Sequence, residues 1–273
     1  MEGQIIKIIK EQYYILTKEI LIICSLRGIL RKDNLYPVVG DYVIINEKDK
    51  TIEKILPRTN IFKRPKVANI NQAFIVTSLI NPKFSPNLLD KLLVNMYINN
   101  VKPIICLTKK DLIKDNNLDN IINYYSNIYT VIYNTEVDKI LKLIKGNVSV
   151  FTGQSGVGKS TLLNKLNPNL NLKVGEVDNN YGRGHHTTRE VSLFIINNGK
   201  VLDTPGFSAY DLDDVDNKII KDAFIEFKNY PCTYKDCTHT NEKECNVKKN
   251  VLNNNILKSR YENYLSFINN KNK

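Results

Sequence analysis

Val148-Ser149-Val150-Phe151-Thr152-Gly153-Gln154-Ser155-Gly156-Val157-Gly158-Lys159-Ser160-Thr161-Leu162-Leu163 decides how the chain is read. A short apolar run leads into G-x-x-x-x-G-K-S, and Leu162, Leu163 and Leu166 continue at helical spacing. Strand, glycine loop and helix is the context of a phosphate-binding loop. The glycines let backbone N–H groups turn inward, and the helix N-terminus adds partial positive charge. Lys159 would reach the terminal phosphates, and Ser160 would place a hydroxyl on Mg²⁺. The bland alternative is a glycine-rich turn before a core helix.

Upstream of this loop, Ala73–Thr77 is a continuous apolar run of the kind that forms a buried parallel strand. Pro86–Ile98 carries apolar residues at helical spacing, and Pro103–Leu107 reads as the next strand. A helix around Leu118–Ile122, a strand at Tyr129–Tyr133 and a helix at Val137–Ile144 complete the approach. Alternating strands and helices predict a mostly parallel sheet with helices on both faces. Downstream, Asn169–Glu190 is rich in Asn and Gly and holds Tyr181-Gly182-Arg183-Gly184-His185-His186-Thr187-Thr188-Arg189. A strand pair at Val191–Ile196 and Lys200–Leu202 then ends in Asp203-Thr204-Pro205-Gly206.

Further out lie two segments of different character. Residues 1–66 read as five short strands, Ile5–Ile9, Tyr13–Leu16, Leu21–Leu26, Tyr42–Ile45 and Ile52–Ile55. That count predicts a small Greek-key barrel of the oligonucleotide-binding (OB) type. It holds 13 basic against 8 acidic residues, the densest positive excess in the chain, and closes with Arg58, Lys63, Arg64 and Lys66. A basic barrel suits RNA, although a solvated barrel packed on its neighbour has the same composition. Beyond Leu212, Ile219–Phe227 is predicted helical, Pro231–Cys245 is cysteine-rich, and Leu257–Ile268 is a second helical stretch. The expected division is 1–66, 67–211 and 212–273.

The chain of 273 residues, 42% hydrophobic, can build more than one core, and its formal charge of +11 favours an anionic partner. Only seven of the 39 basic residues are Arg, and Asn and Ile are plentiful, a usage that biased codons produce as well as selection for a basic face. No signal-peptide pattern opens it, and apolar runs such as Ile20–Cys24 are far too short to span a bilayer. A cytoplasmic location without membrane contact is the expectation.

Asp203-Thr204-Pro205-Gly206 at a strand end can hold Mg²⁺ through Asp203 and sense a terminal phosphate through the Gly206 amide. Thr108-Lys109-Lys110-Asp111, also at a strand end, resembles the guanine motif [NT]-K-x-D. Asp111 would accept from the ring N–H and the exocyclic amine, a donor pair adenine lacks. Lys109 would lay its stem on the base. Thr108 is shorter than the usual Asn and is expected to make fewer of the hydrogen bonds that tie the loops. In an ordinary GTPase the phosphate loop precedes the guanine motif; here the order is reversed, which a circular permutation explains. The segment after Gly206 therefore leads straight into the C-terminal region, a route by which nucleotide state would reach it. Cys232, Cys237, His239 and Cys245 form C-x₄-C-x-H-x₅-C, a closed ligand set for structural zinc. Cys24 and Cys106 sit in apolar strands and read as core thiols.

Together, Gly40-Asp41, Thr108–Asp111, Gly153–Thr161, Gly182–Arg189, Asp203–Gly206 and the cysteine cluster resemble the circularly permuted ribosome small-subunit-dependent GTPase A family, over nearly the whole chain. The resemblance implies an OB barrel, a permuted GTPase domain and a zinc domain. It further implies contact with ribosomal RNA, late maturation of the small subunit, and GTP hydrolysis stimulated by that subunit. It assigns the phosphates of GTP or GDP to Gly153, Gln154, Ser155, Gly156, Val157, Gly158, Lys159, Ser160 and Thr161. It places Thr188, or else Thr187, on Mg²⁺ with Ser160 and Asp203. His186 matches the histidine near the attacking water, with an rRNA contact as its alternative role. Phe207 stands where Ras-like enzymes carry a water-orienting glutamine, so slow intrinsic turnover is expected. Release of assembly factors or of the protein itself, and a monomeric state, complete the expectation. An RNA-bound switch with incidental hydrolysis and a small-molecule phosphotransferase are the competing readings.

Overall fold

The structure, a computed structural model, describes residues 1–18, 20–27, 36–63, 66–113, 118–170, 191–203 and 212–269. Strands β1 (Glu2–Ile9), β2 (Gln12–Leu16), β3 (Leu21–Leu26), β4 (Tyr42–Asn46) and β5 (Thr51–Ile55) close into a barrel in the order β1-β2-β3-β5-β4, with β4 returning to β1. The β3–β5 pairing is parallel, and the others are antiparallel. Alternation along the strands puts Ile5, Ile15, Val43 and Ile52 inside, fully buried. This is the expected OB-type barrel.

A hairpin follows that the sequence reading did not contain, β6 (Ile61–Lys63) with β7 (Lys66–Ala68). Strands of three residues are too short to show a period. The barrel is fastened to the hairpin at Gly40-Asp41. Gly40 adopts φ +94°, and a Cβ there would sit 2.0 Å from the Ala68 carbonyl oxygen. Asp41 is fully buried, accepts the Val38 amide at 2.8 Å and takes a two-pronged bond from Arg58 at 2.7 and 2.8 Å. Arg58, grouped with the basic edge by sequence, is thus a structural partner of Asp41.

The central sheet runs β10 (Thr130–Tyr133), β9 (Lys102–Thr108), β8 (Gln72–Ser78), β11 (Val148–Thr152), β13 (Gly199–Asp203), β12 (Ser192–Ile196). All are parallel except β12. Helices α1 (Pro86–Ile98) and α2 (Asp119–Ser126) cover one face, where Leu89, Leu93, Met96 and Tyr125 meet Ile75, Ile105 and Val150. Helices α3 (Val137–Ile144) and α4 (Lys159–Leu166) cover the other, where Ile140, Ile144, Leu162 and Leu163 meet Phe74, Ile104 and Phe151. Burial on both faces explains the unbroken apolar runs. Lys7 of β1 pairs with Ser192 of β12, so the central sheet continues into the barrel.

The C-terminal part holds α5 (Asn217–Ala223), a 3₁₀ turn (Ile225–Asn229), α6 (Asn246–Leu252) and α7 (Lys258–Asn269). The single helix expected over Ile219–Phe227 breaks at Phe224 (φ −83°, ψ 70°). Leaving the helix lets the Phe224 ring stack over the Arg260 guanidinium at 4.4 Å and meet Tyr264 edge-on at 5.2 Å. Phe224, Phe227, Tyr264 and Phe267 share a core with Val94 of α1, so this part is docked on the central sheet's helices. Among the described residues no helix is long and apolar enough to cross a membrane.

Candidate functional site

The loop between β11 and α4 holds three left-handed glycines, Gly153 (φ +142°), Gly156 (φ +77°) and Gly158 (φ +98°). Any larger residue at Gly153 would place its Cβ 2.0 Å from the Val76 carbonyl oxygen, so the loop starts tight against β8. Lys159 opens α4, and its Nζ donates to the Gly153 and Gln154 carbonyls, each at 2.7 Å. Burial holds the Lys159 ammonium below the usual lysine pKa. A partly desolvated cation gripping its own loop is set to exchange carbonyls for phosphate oxygens. Gln154, Ser155 and Thr161 are exposed, Gly156, Gly158 and Ser160 half-buried, and Val157 buried.

The guanine-like motif comes to the same edge. Thr108 ends β9, and its hydroxyl donates to the Val157 carbonyl at 2.8 Å. Threonine is expected to make fewer loop-tying hydrogen bonds than the usual Asn; the one Thr108 makes reaches the phosphate loop because the Val157 carbonyl lies close enough for the short side chain. Lys109 is left-handed (φ +61°), and its Nζ donates to the Gly156 carbonyl at 3.0 Å and to that of Asn81 in the loop before α1. Lys110 lies over the Tyr133 ring at 4.3 Å, and Asp111 stands exposed in a 3₁₀ turn. Two residues that sequence reasoning passed over, Asn134 and Thr135, follow β10 beside this turn, the Asn134 amide donating to the Leu107 carbonyl at 2.9 Å. Their signal was only that they follow the strand adjacent to β9. Asp203 closes β13 on the C-terminal side of the sheet. His186, Thr187, Thr188, Gly206 and Phe207 lie outside the described residues.

Cys232, Cys237, His239 and Cys245 converge, their ligand atoms all within 4.8 Å. His239 Nδ1 lies 3.5, 3.4 and 3.4 Å from the sulfurs of Cys232, Cys237 and Cys245. The Cys232 and Cys245 sulfurs are 3.7 Å apart. A tetrahedral ion with Zn–S of ~2.3 Å and Zn–N of ~2.0 Å demands edges of about 3.5 Å between N and S and about 3.8 Å between sulfurs. Burial, joined by the neighbouring sulfurs, pushes the Cys237 thiol up to about 12. Burial also acts against the Cys232 thiolate, but amide donors from Val247 and Asn246 outweigh it and lower that thiol. Burial and nearby Lys221 keep His239 below the usual histidine value, in the neutral ligand form. Three sulfurs this close hold negative charge together only around a cation, so the donor set fits zinc. The Tyr261 and Tyr264 hydroxyls donate to the His239 and Thr238 carbonyls at 2.6 and 2.5 Å and hold the knuckle on α7.

The least legible feature is Arg260, fully buried between α1 and the 3₁₀ turn. It donates to Asp90 at 2.6 Å and to Glu226 at 2.7 and 3.2 Å, and reaches the Tyr129 hydroxyl at 3.1 Å. The Tyr125 hydroxyl and the Asn263 amide fill the remaining Asp90 oxygen sites at 2.5 and 2.7 Å.

A family model described as RsgA GTPase matches residues 55–213, and one described as RsgA N-terminal domain matches residues 2–53. A Bacillus cereus protein named small ribosomal subunit biogenesis GTPase RsgA is 39% identical, the match covering 98% of this chain and 96% of that one. Its Listeria monocytogenes counterpart, RsgA 2, is 42% identical over the same shares. Among solved structures, YjeQ from Thermotoga maritima superposes with TM-score 0.87 at 31% identity, covering 99% of this chain and 98% of that one. YloQ, described as a circularly permuted GTPase, gives TM-score 0.83 at 34% identity over 99% and 94%.

Proposed function

The chain belongs to the RsgA GTPase family, and from that premise we propose that it binds the small ribosomal subunit and couples GTP hydrolysis to the subunit's late maturation. The observation that carries this reading is the end-to-end match to relatives named for small-subunit biogenesis. The subunit stimulates hydrolysis, and hydrolysis releases assembly factors or the protein itself. Residues 1–66 form the N-terminal domain, whose barrel contacts ribosomal RNA, residues 67–211 form the GTPase domain, and residues 212–273 form the zinc domain. The protein acts as a cytoplasmic monomer.

Within this reading Gly153–Thr161 hold the phosphates, and Thr108, Lys109, Lys110 and Asp111 hold guanine. Asn134 and Thr135 flank the base. Ser160, Asp203 and Thr188 hold Mg²⁺, which offsets phosphate charge, and Cys232, Cys237, His239 and Cys245 hold one structural zinc. The Gly206 amide senses the terminal phosphate, and His186 orients the attacking water. Support for the phosphate assignment comes from the left-handed glycines and from Lys159 at the helix start.

The test is GTP turnover with and without purified small subunits, together with co-sedimentation in GTP and GDP. Stimulation by subunits and nucleotide-dependent binding are expected. Indifference to both would overturn the reading. His186→Ala should lose most of the stimulated turnover with nucleotide affinity kept; unchanged turnover would remove His186 from the mechanism.

A further inference from the structure

We propose that the outer edge of β3 accepts an extended strand from a protein of the small ribosomal subunit, an inference that rests on the function proposed above. The β2–β3 hairpin fixes which backbone groups face outward. The Thr17 amide donates to the Ile20 carbonyl at 3.0 Å, and the register pairs Leu16 with Leu21, Ile15 with Ile22, Tyr14 with Ile23 and Tyr13 with Cys24. Hydrogen-bonded pairs alternate in an antiparallel ladder. With Thr17 and Ile20 bonded, the next bonded pairs are Ile15–Ile22 and Tyr13–Cys24. The N–H and C=O groups of Leu21 and Ile23 therefore point away from β2. Ser25 has the same parity, and its amide donates to the Lys50 carbonyl at 2.9 Å, where β5 begins. The β3–β5 ladder includes only Ser25 and Leu26, so among the described residues no strand covers the edge at Leu21 and Ile23.

The side chains along this edge match that geometry. Ile20, Leu21 and Ile23 are 54%, 52% and 44% exposed. Edge strands are usually blunted by charge or proline, and Ile20–Cys24 has neither. RNA is met by cations and aromatic faces. Unpaired backbone groups between aliphatic side chains instead fit an extended polypeptide that adds a strand. Lys18 at the hairpin turn is followed by Glu19, whereas Lys50 stands at the far end, so the edge favours a segment with apolar residues at alternate positions and an acidic residue at the Lys50 end.

The test is co-sedimentation of the full chain with purified small subunits in a non-hydrolysable GTP analogue. Ile23→Pro removes an outward donor and no barrel hydrogen bond. The double variant Leu21→Lys with Ile23→Lys changes only exposed side chains. Both should weaken subunit binding at least tenfold, with intrinsic GTP turnover and melting temperature unchanged. If the edge binds RNA, the added lysines tighten binding and overturn the proposal. p-Benzoylphenylalanine in place of Ile23 should crosslink to a ribosomal protein in a product that resists ribonuclease; a ribonuclease-sensitive product overturns it. Variants that bind like the unaltered chain overturn the edge alone, whereas an unaltered chain that fails to sediment overturns the ribosomal reading and the edge with it.

Discussion

Thr108 shows how much one hydroxyl can carry. Its bond to the Val157 carbonyl is the direct tie between the base-recognising strand end and the phosphate loop, seconded by Lys109 on Gly156. Thr108→Val keeps the volume and removes the donor, leaving a buried carbonyl unpaired at a cost of about 1–3 kcal/mol. GDP affinity measured by calorimetry should fall by roughly tenfold, while preference over ADP persists because Asp111 is untouched. Unchanged affinity would mean the two loops are aligned by other contacts. The cysteines give a second residue-level outcome. Burial pushes Cys106 up to about 12 and also raises Cys24, so neither offers thiolate at neutral pH. With zinc bound, a thiol reagent should react slowly with all five cysteines; after chelation, Cys232, half-buried and with its thiol lowered, should react first while Cys24 and Cys106 wait for denaturant.

At the scale of elements, periodicity exposed what was long or repeated and missed what was short or held by one contact. The strands of the central sheet could be read because both faces are buried, and the barrel strands because their apolar residues alternate. The phosphate loop and the zinc ligands could be read because their chemistry needs fixed spacings. The β6–β7 hairpin could not, since Lys63–Lys66 reads as a basic, proline-broken loop. The break at Phe224 could not either, because its cause, Arg260, lies 36 positions downstream. The Gly40-Asp41 junction was visible as residues but not as a mechanism. Gly40→Ala must place a Cβ against the Ala68 carbonyl at left-handed φ. A loss of at least ~1–2 kcal/mol is expected from the backbone conformation alone, seen as a lower urea midpoint with nucleotide affinity retained. A midpoint equal to that of the unaltered chain would show that the hairpin moves aside freely.

Across the whole molecule, permutation places the C-terminal part after β13, and Arg260 decides how firmly it sits. Leu212, the first described residue beyond the 204–211 segment, is buried in the core that includes Val94 of α1. α1 itself carries Asp90, and the loop before it gives the Asn81 carbonyl to Lys109 at the nucleotide edge. The helix and the loop before it thus touch both the zinc-bearing part and the base-motif lysine. One guanidinium between two carboxylates leaves a buried excess of negative charge, relieved by donors from Tyr125 and Asn263 to Asp90 and from Tyr124 to Glu226. Burial drives the Asp90 carboxyl above its ordinary value, against the pull of Arg260. Arg260→Ala strips the cation from this cluster and should destabilise the chain by about 3–5 kcal/mol, the cost of breaking a buried pair from one side. Asp90→Asn is a different perturbation: it keeps the shape and an acceptor for Arg260, and leaves Arg260 and Glu226 as a neutral pair. It should cost far less. Hydrogen exchange distinguishes rigid docking from mere packing: in Arg260→Ala, amides of α7 and α1 should lose protection together while β8 stays protected. If α7 alone opened, the C-terminal part would fold and unfold independently of α1, and nucleotide state would have to reach it through residues 204–211 instead.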